Sequence, residues 1–144
     1  MQVLQILSEK GRDVVTIAGD ATLWDAARLL NLRHIGALVI SDSEGSVGGI
    51  LSERDIVRAL AEHGADSLRQ SVQQHMTHSI STCSETDTVD DLMETMTHGR
   101  FRHVPVLDDG LRLCGIVSIG DVVKTRIAET VREAESLREY IAAG

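Results

Sequence analysis

Two serine–aspartate pairs carry the chemistry this chain can offer. Gly49-Ile50-Leu51-Ser52-Glu53-Arg54-Asp55 and Gly115-Ile116-Val117-Ser118-Ile119-Gly120-Asp121 share a glycine, two aliphatic residues, a serine, two variable residues and an aspartate. In each, an apolar run leads to the serine and an apolar-periodic segment follows the aspartate. The pattern reads as a buried strand ending at the serine, then a helix that the serine caps. In its simplest use Ser-x-x-Asp is a capping box, which satisfies backbone N–H groups that a helix start leaves unpaired. The same geometry can also hold a ligand. A helix N-terminus presents N–H groups and a positive dipole end to phosphate, and an aspartate one turn in can accept hydrogen bonds from ribose hydroxyls. The leading glycine lets a ligand approach the backbone closely. A single copy needs no more than the capping explanation; two copies in matching context make the binding use worth pursuing.

Other chemistries are poorly supported. His75, His78, His98 and His103 show no metal-ligand spacing with a carboxylate or cysteine on one helix face, and no nucleophile stands beside a base. The chain is therefore expected not to be an enzyme and to need no cofactor or metal. Cys83 and Cys114 have neither redox nor metal spacing, and Cys114 reads as core packing. A redox- or metal-responsive regulator using Cys83 or the histidines is a further reading, which chelation or Cys83→Ser would test. A net charge of −8 argues against nucleic acid or an anionic membrane as partner. Aromatics make up 2% of the 144 residues, so stacking platforms for single strands are lacking and the core must be aliphatic. Without a long apolar run or a signal-peptide start, a cytoplasmic protein is expected.

The elements that must position the two pairs repeat as well. Gln2 to Lys10 has helical spacing and stops at Gly11; Val14 to Ile17 is a short strand; Thr22 caps a helix with Leu23, Ala26, Ala27 and Leu30 on one face. Gly36 to Ile40 is a strand covered on both faces, Ser41 to Gly45 a hairpin turn, and Val47 to Leu51 the returning strand. The helix from Ser52 runs to about His63. Residues 65–71 are polar, and Val72 to Met76 makes another helical turn. The series then restarts: Ile80 to Cys83 matches the first strand, Thr88 matches Thr22, and Val89, Leu92, Met93 and Met96 repeat the helix face 66 positions on. The offset is expected to widen to 69 near His98-Gly99-Arg100, placing Pro105-Val106 opposite Gly36-Ala37. A second hairpin, Asp108-Asp109-Gly110, that is three residues shorter would restore it. Units of about sixty residues are too small to fold alone, so the copies should pack together. Val123, Ile127, Thr130, Ala134, Leu137 and Ile141 form either a short heptad seam or a face packed on the chain's own sheets.

A tandem duplication closing each unit with Gly-x-x-Ser-x-x-Asp resembles a pair of CBS domains, the cystathionine-β-synthase regulatory module. Arg102-His103-Val104-Pro105-Val106-Leu107-Asp108 is similar to that family's middle strand, and Leu51-Ser52-Glu53-Arg54-Asp55-Ile56-Val57 to its strand–helix junction. The resemblance covers about residues 10–130 and is closest to the stand-alone CBS-pair proteins of bacteria. It implies an α/β (α+β) fold of two β-α-β-β-α units packed through their sheets with pseudo-two-fold symmetry. The parts would be repeat one with the N-terminal helix (1–64), a linker (65–75), repeat two (76–128) and a C-terminal helical extension (129–144). It further implies a non-catalytic regulatory module binding AMP, ADP or ATP between the repeats, with NAD-type or S-adenosyl ligands as alternatives. Asp55 and Asp121 would hold ribose; Ser52 and Ser118 would meet phosphate or ribose oxygens. Thr16, Ile17, Thr82 and Cys83 would line the adenine pocket, and Ile35, Val104 and Pro105 would add apolar walls. Arg54 precedes Asp55, Arg100, Arg102 and His103 crowd one side of repeat two, and Arg33 and His34 sit in repeat one; of these, arginine suits phosphate through its planar fork. A homodimer and a separate regulated protein are the implied partners. Arg54 stands before Asp55 but Gly120 before Asp121, so the clefts should be unequal. The competing reading is a nucleotide-independent interaction module with vestigial clefts that works through its last helix.

Overall fold

The computed structural model describes residues 1–42 and 45–143; Ser43 and Glu44 of the expected first turn, and Gly144, lie outside the described residues. The elements run α1 (Val3–Lys10), β1 (Thr16–Ile17), α2 (Leu23–Arg33), β2 (Ala37–Ser41), β3 (Val47–Ser52) and α3 (Glu53–His63). A 3-10 turn (Ala65–Arg69) and α4 (Val72–His75) lead to β4 (Cys83–Ser84), α5 (Val89–Gly99), β5 (His103–Leu107), β6 (Leu113–Ser118) and α6 (Ile119–Ala143). Threonine sets both middle helices. Thr22 Oγ1 accepts the Asp25 N–H at 3.1 Å, and Thr88 Oγ1 accepts the Asp91 N–H at 3.1 Å. The same two helices end on left-handed residues, His34 at φ 54° and Arg100 at φ 57°.

Two three-stranded sheets result, ordered β1-β2-β3 and β4-β5-β6, each with one parallel and one antiparallel pair. Their registers correct the expected shift to 69. Ala37 pairs Ser52 and Ser41 pairs Val47, while His103 pairs Ser118 and Leu107 pairs Leu113. The 66-residue offset therefore holds through helix, strand and hairpin without insertion. Pro105 stands opposite Ile116 as Val39 stands opposite Ile50, so its counterpart is Val39 rather than Gly36. The first strands are also shorter and later than Val14 to Ile17 and Ile80 to Cys83. Val39 donates its N–H to the Val15 carbonyl at 3.2 Å. Proline has no N–H to give at the equivalent place, and β4 starts one residue later in its repeat than β1 does.

The core has three layers. Val39 and Ile50 meet Leu113 and Ile116 between the two sheets. Leu23, Ala26, Leu30, Leu38, Leu51 and Val72 fill the outer side of repeat one. Val3, Leu7, Val89, Leu92, Val104, Val117 and Val122 fill that of repeat two. Each fully buried aliphatic side chain here contributes about 1.5–3 kcal/mol relative to exposure. The short helices are thus exchanged: α1 precedes repeat one but packs in the core of repeat two, and α4 packs in the core of repeat one. The stretch read as a polar linker is docked as well, with Ser67 buried and its hydroxyl donating to the Gly64 carbonyl at 2.8 Å. The last helix settles its own alternative. Val123, Ile127, Leu137 and Ile141 are exposed, so that face does not pack on the chain's own sheets.

Candidate functional site

Strands β3 and β6 each carry a serine to the start of a helix, and both serines face one cavity. Both capping boxes form. The Ser52 N–H and hydroxyl donate to Asp55 Oδ2 at 2.8 and 3.2 Å, and the Asp55 N–H donates to Ser52 Oγ at 3.4 Å. The Ser118 N–H donates to Asp121 Oδ2 at 2.9 Å, and the Asp121 N–H donates to Ser118 Oγ at 3.2 Å. The preceding loops close onto the same turns: Glu53 N–H donates to the Gly36 carbonyl at 3.0 Å and Ile119 N–H to the Arg102 carbonyl at 2.8 Å.

A cavity of about 420 Å³ opens between these two helix starts. Ser52, Arg54, Asp55, Arg100, Arg102, His103 and Ser118 all line it, so seven of the residues singled out in the sequence are brought together. Arg58, Thr77 and Ile80 join them, along with Ile50 and Phe101. Arg58 had a readable signal, since it lies one turn after Asp55; its guanidinium Nη1 sits 3.2 Å from Asp55 Oδ1. Thr77 and Ile80 carried no signal, because they precede a strand that begins later than expected. Asp55 is 6% exposed, yet one of its oxygens faces a long arginine that is itself mostly in solvent. Among the described residues no carboxylate lies within 4 Å of Arg54, Arg100 or Arg102. In a protein of net charge −8, four arginines line this one cavity, with Glu53 and Asp55 the carboxylates among them. Burial, with the nearby Lys10 and Arg102 charges, lowers the His103 pKa against the opposing pull of Asp121 and Glu53.

The other expected residues sit elsewhere. Thr16 and Thr82 are exposed, away from the cavity wall. Ile17 packs in the outer core of repeat one, and Cys83 and Val104 in that of repeat two. Burial pushes the Cys83 thiol up to about 12, the state of a packing residue rather than a reactive one. Pro105 is buried within its sheet, and Ile35 lines a separate groove with Ile56 and Val57. Cys114 is half-buried at the edge of the repeat-two core.

Asp121 does not line the cavity. Its Oδ2 accepts from Lys10 Nζ at 2.6 Å, and the same ammonium donates to the Ile116 carbonyl at 2.8 Å. Burial pushes the Asp121 carboxyl up, but the Lys10 ammonium and the Ser118 donors outweigh it and hold the carboxyl below the usual range. A lowered folded-state pKa contributes stability above the unfolded value and loses it as pH falls through the folded one. Wild type is therefore expected to be more stable than Lys10→Met at pH 7 by about 0.2–1 kcal/mol, the range for a partly exposed pair. The advantage should begin to shrink near about pH 4, the unfolded carboxyl's value, and be gone only once the pH is below the lowered folded-state value. Denaturant melts of both proteins across pH measure it; a pH-independent difference would mean that the lysine stem, not its charge, stabilises.

The comparisons with known proteins agree on one family. The CBS domain model matches residues 5–62 and again residues 71–128. A crystal structure of a CBS-domain-containing protein from Agrobacterium tumefaciens is 52% identical with TM-score 0.84, covering 88% of this chain and 99% of that one. A CBS domain pair crystallised with 5′-methylthioadenosine and S-adenosyl-L-methionine is 28% identical with TM-score 0.80, covering 90% of this chain and 98% of that one. A mitochondrial CBS domain-containing protein of Arabidopsis thaliana is 34% identical over 129 residues, 87% of this chain and 62% of that relative's length.

Proposed function

The chain belongs to the CBS domain family as a tandem pair, and from that premise we propose that it is a non-catalytic sensor module binding an adenosine nucleotide (AMP, ADP or ATP) in the cavity at Asp55. One observation carries the reading: four arginines converge on a cavity that also holds a buried aspartate at a helix start. Asp55 accepts from the ribose hydroxyls when the exposed Arg58 swings aside. Ile50 and Ile80 offer an apolar wall to the adenine. Arg54, Arg100 and Arg102 take the phosphates, and α3 adds its N-terminal dipole. The structural relative with 5′-methylthioadenosine and S-adenosyl-L-methionine supports the adenosine part. A sulfonium cation is disfavoured among four guanidinium groups, whereas phosphate is favoured, so the phosphorylated ligands rank above the S-adenosyl compounds here. Bound across β3 and the loop before β5, the ligand would bias the relative orientation of the repeats by its differential affinity for the two arrangements. A separate regulated protein would read that bias from α6.

A thermal-shift screen of AMP, ADP, ATP, NAD, NADH and S-adenosylmethionine tests the proposal. An adenosine phosphate is expected to raise the melting temperature with concentration, as any ligand of the native state does, and Arg100→Gln is expected to reduce the shift. No shift by any compound at millimolar concentration would favour the interaction-module reading, which the complete internal satisfaction of both capping boxes supports. A second copy of the chain is the partner proposed for Val57 and Val123, exposed at matching positions of α3 and α6. Light scattering should show a dimer that Val57→Glu weakens; a monomeric wild type would remove that part.

A further inference from the structure

We infer that this chain closes one of its two clefts with its own lysine: Lys10 fills the cleft at Asp121, so the protein binds one nucleotide, at Asp55, and none at Asp121. The inference rests on the functional reading above and adds the number and position of the sites.

The two clefts start from equivalent backbone. On the Asp55 side, Ile50 exchanges two backbone hydrogen bonds with Thr77, at 3.1 and 2.8 Å, and the cavity stays open beside them. On the Asp121 side, the equivalent carbonyl of Ile116 accepts from Lys10 Nζ, whose ammonium also holds Asp121 Oδ2. Oδ2 already accepts the Ser118 N–H. Asp55 Oδ2 is likewise occupied by its serine, so what sets the second cleft apart is the Lys10 ammonium, which bridges the carboxylate and the Ile116 carbonyl where a ligand would have to enter.

The source of the lysine is visible in the helix pair. Gln2 and Ser71 cap α1 and α4 and bridge Thr88 and Thr22. Val3 and Val72 are both fully buried. Leu7 lies against Gly115 and Met76 against Gly49. Each of these pairs is 69 apart, while the sheets that follow keep 66. Three extra residues therefore enter on the α1 side, where the helix continues through Ser8, Glu9 and Lys10 after its contact with the glycine. The chain after Met76 has no such turn and passes directly to Thr77.

Charge agrees with the closure. At the positions 66 away from Arg54, Arg58 and Arg100 stand Gly120, Lys124 and His34. Three arginines that serve a phosphate chain on the Asp55 side have become a glycine, a lysine and a histidine on the other.

Isothermal titration with AMP, ADP and ATP, on wild type, Lys10→Met and Arg54→Gln, decides the matter. One nucleotide per wild-type chain, weakened at least about tenfold by Arg54→Gln, and two per chain in Lys10→Met is the expected result. Should the methionine variant misfold, Lys10→Gln keeps a polar stem and is expected to show the same second site. Two nucleotides per wild-type chain, or one in a well-folded Lys10→Met, would overturn the closure and leave the reading of the Asp55 site standing. No binding by wild type but one per chain in Lys10→Met would uphold the closure and remove the Asp55 site instead. No binding by either protein would remove both.

Discussion

Asp55→Asn is expected to weaken nucleotide binding by about 10- to 150-fold, the equivalent of one charge-assisted hydrogen bond of about 1.5–3 kcal/mol. The aspartate is the one carboxylate that lines the cavity from a buried position, and its Oδ2 already accepts the Ser52 donors. Oδ1 faces Arg58, which is 63% exposed and free to move. Asparagine keeps the shape and one acceptor but loses the charge. As a residue well suited to helix starts, it also costs little there. Titration calorimetry beside a thermal melt separates the two roles. A large affinity loss with a small fall in melting temperature assigns Asp55 to the ligand. Unchanged affinity with the same small fall would leave it a helix cap and nothing more.

Gly49→Ala is expected to destabilise the fold by about 1–3 kcal/mol, the usual cost of overpacking. A Cβ there would lie 2.7 Å from the Thr77 carbonyl oxygen and 2.9 Å from the Met76 sulfur. The sulfur can move, but the carbonyl cannot, because Thr77 is tied to Ile50 by two backbone bonds. The same push displaces Thr77 and Ile80 from the cavity wall, so nucleotide affinity should fall together with the denaturation midpoint. At Gly115 the three atoms nearest the corresponding Cβ all belong to the Leu7 side chain, the first at 2.7 Å. Gly115→Ala should therefore cost less and spare the Asp55 site. Equal losses in the two variants would mean that the Thr77 segment is no more rigid than a buried leucine.

The duplication was legible because it is written in residues that physics constrains. Thr22 and Thr88 cap equivalent helices, Leu23 and Val89 begin equivalent faces, and Ser52 and Ser118 end equivalent strands. The arginines and His103 were legible by their chemistry. Less was legible where backbone geometry outranks residue type. Val39 and Pro105 look unlike on paper, yet both fill a buried strand position, and matching proline to Gly36-Ala37 produced a false insertion. The residues expected at an adenine wall lie away from this cavity for a related reason. Alternation along a strand sends every second side chain to the other face, and Ile17 and Cys83 point to the outer cores. Lys10 was invisible to any local pattern, since it acts on Asp121 across 111 positions.

The exchange of the short helices bears on how the chain can be made. α1 stands ahead of repeat one in sequence, yet its apolar face, Val3, Ile6 and Leu7, packs with residues of repeat two, from Val89 and Leu92 to Val117 and Val122. During synthesis that face has no native partner until the chain has grown past repeat one to the Glu85–Leu92 stretch. Contacts this distant in sequence are entropically expensive to close and slow to form. Repeat one can collapse around its own helices once Val72 arrives. Repeat two must wait for the far end of the chain to return. Residues 1–10 therefore act as a clasp, and a disturbance of α1 would be felt in repeat two rather than in the repeat that α1 precedes.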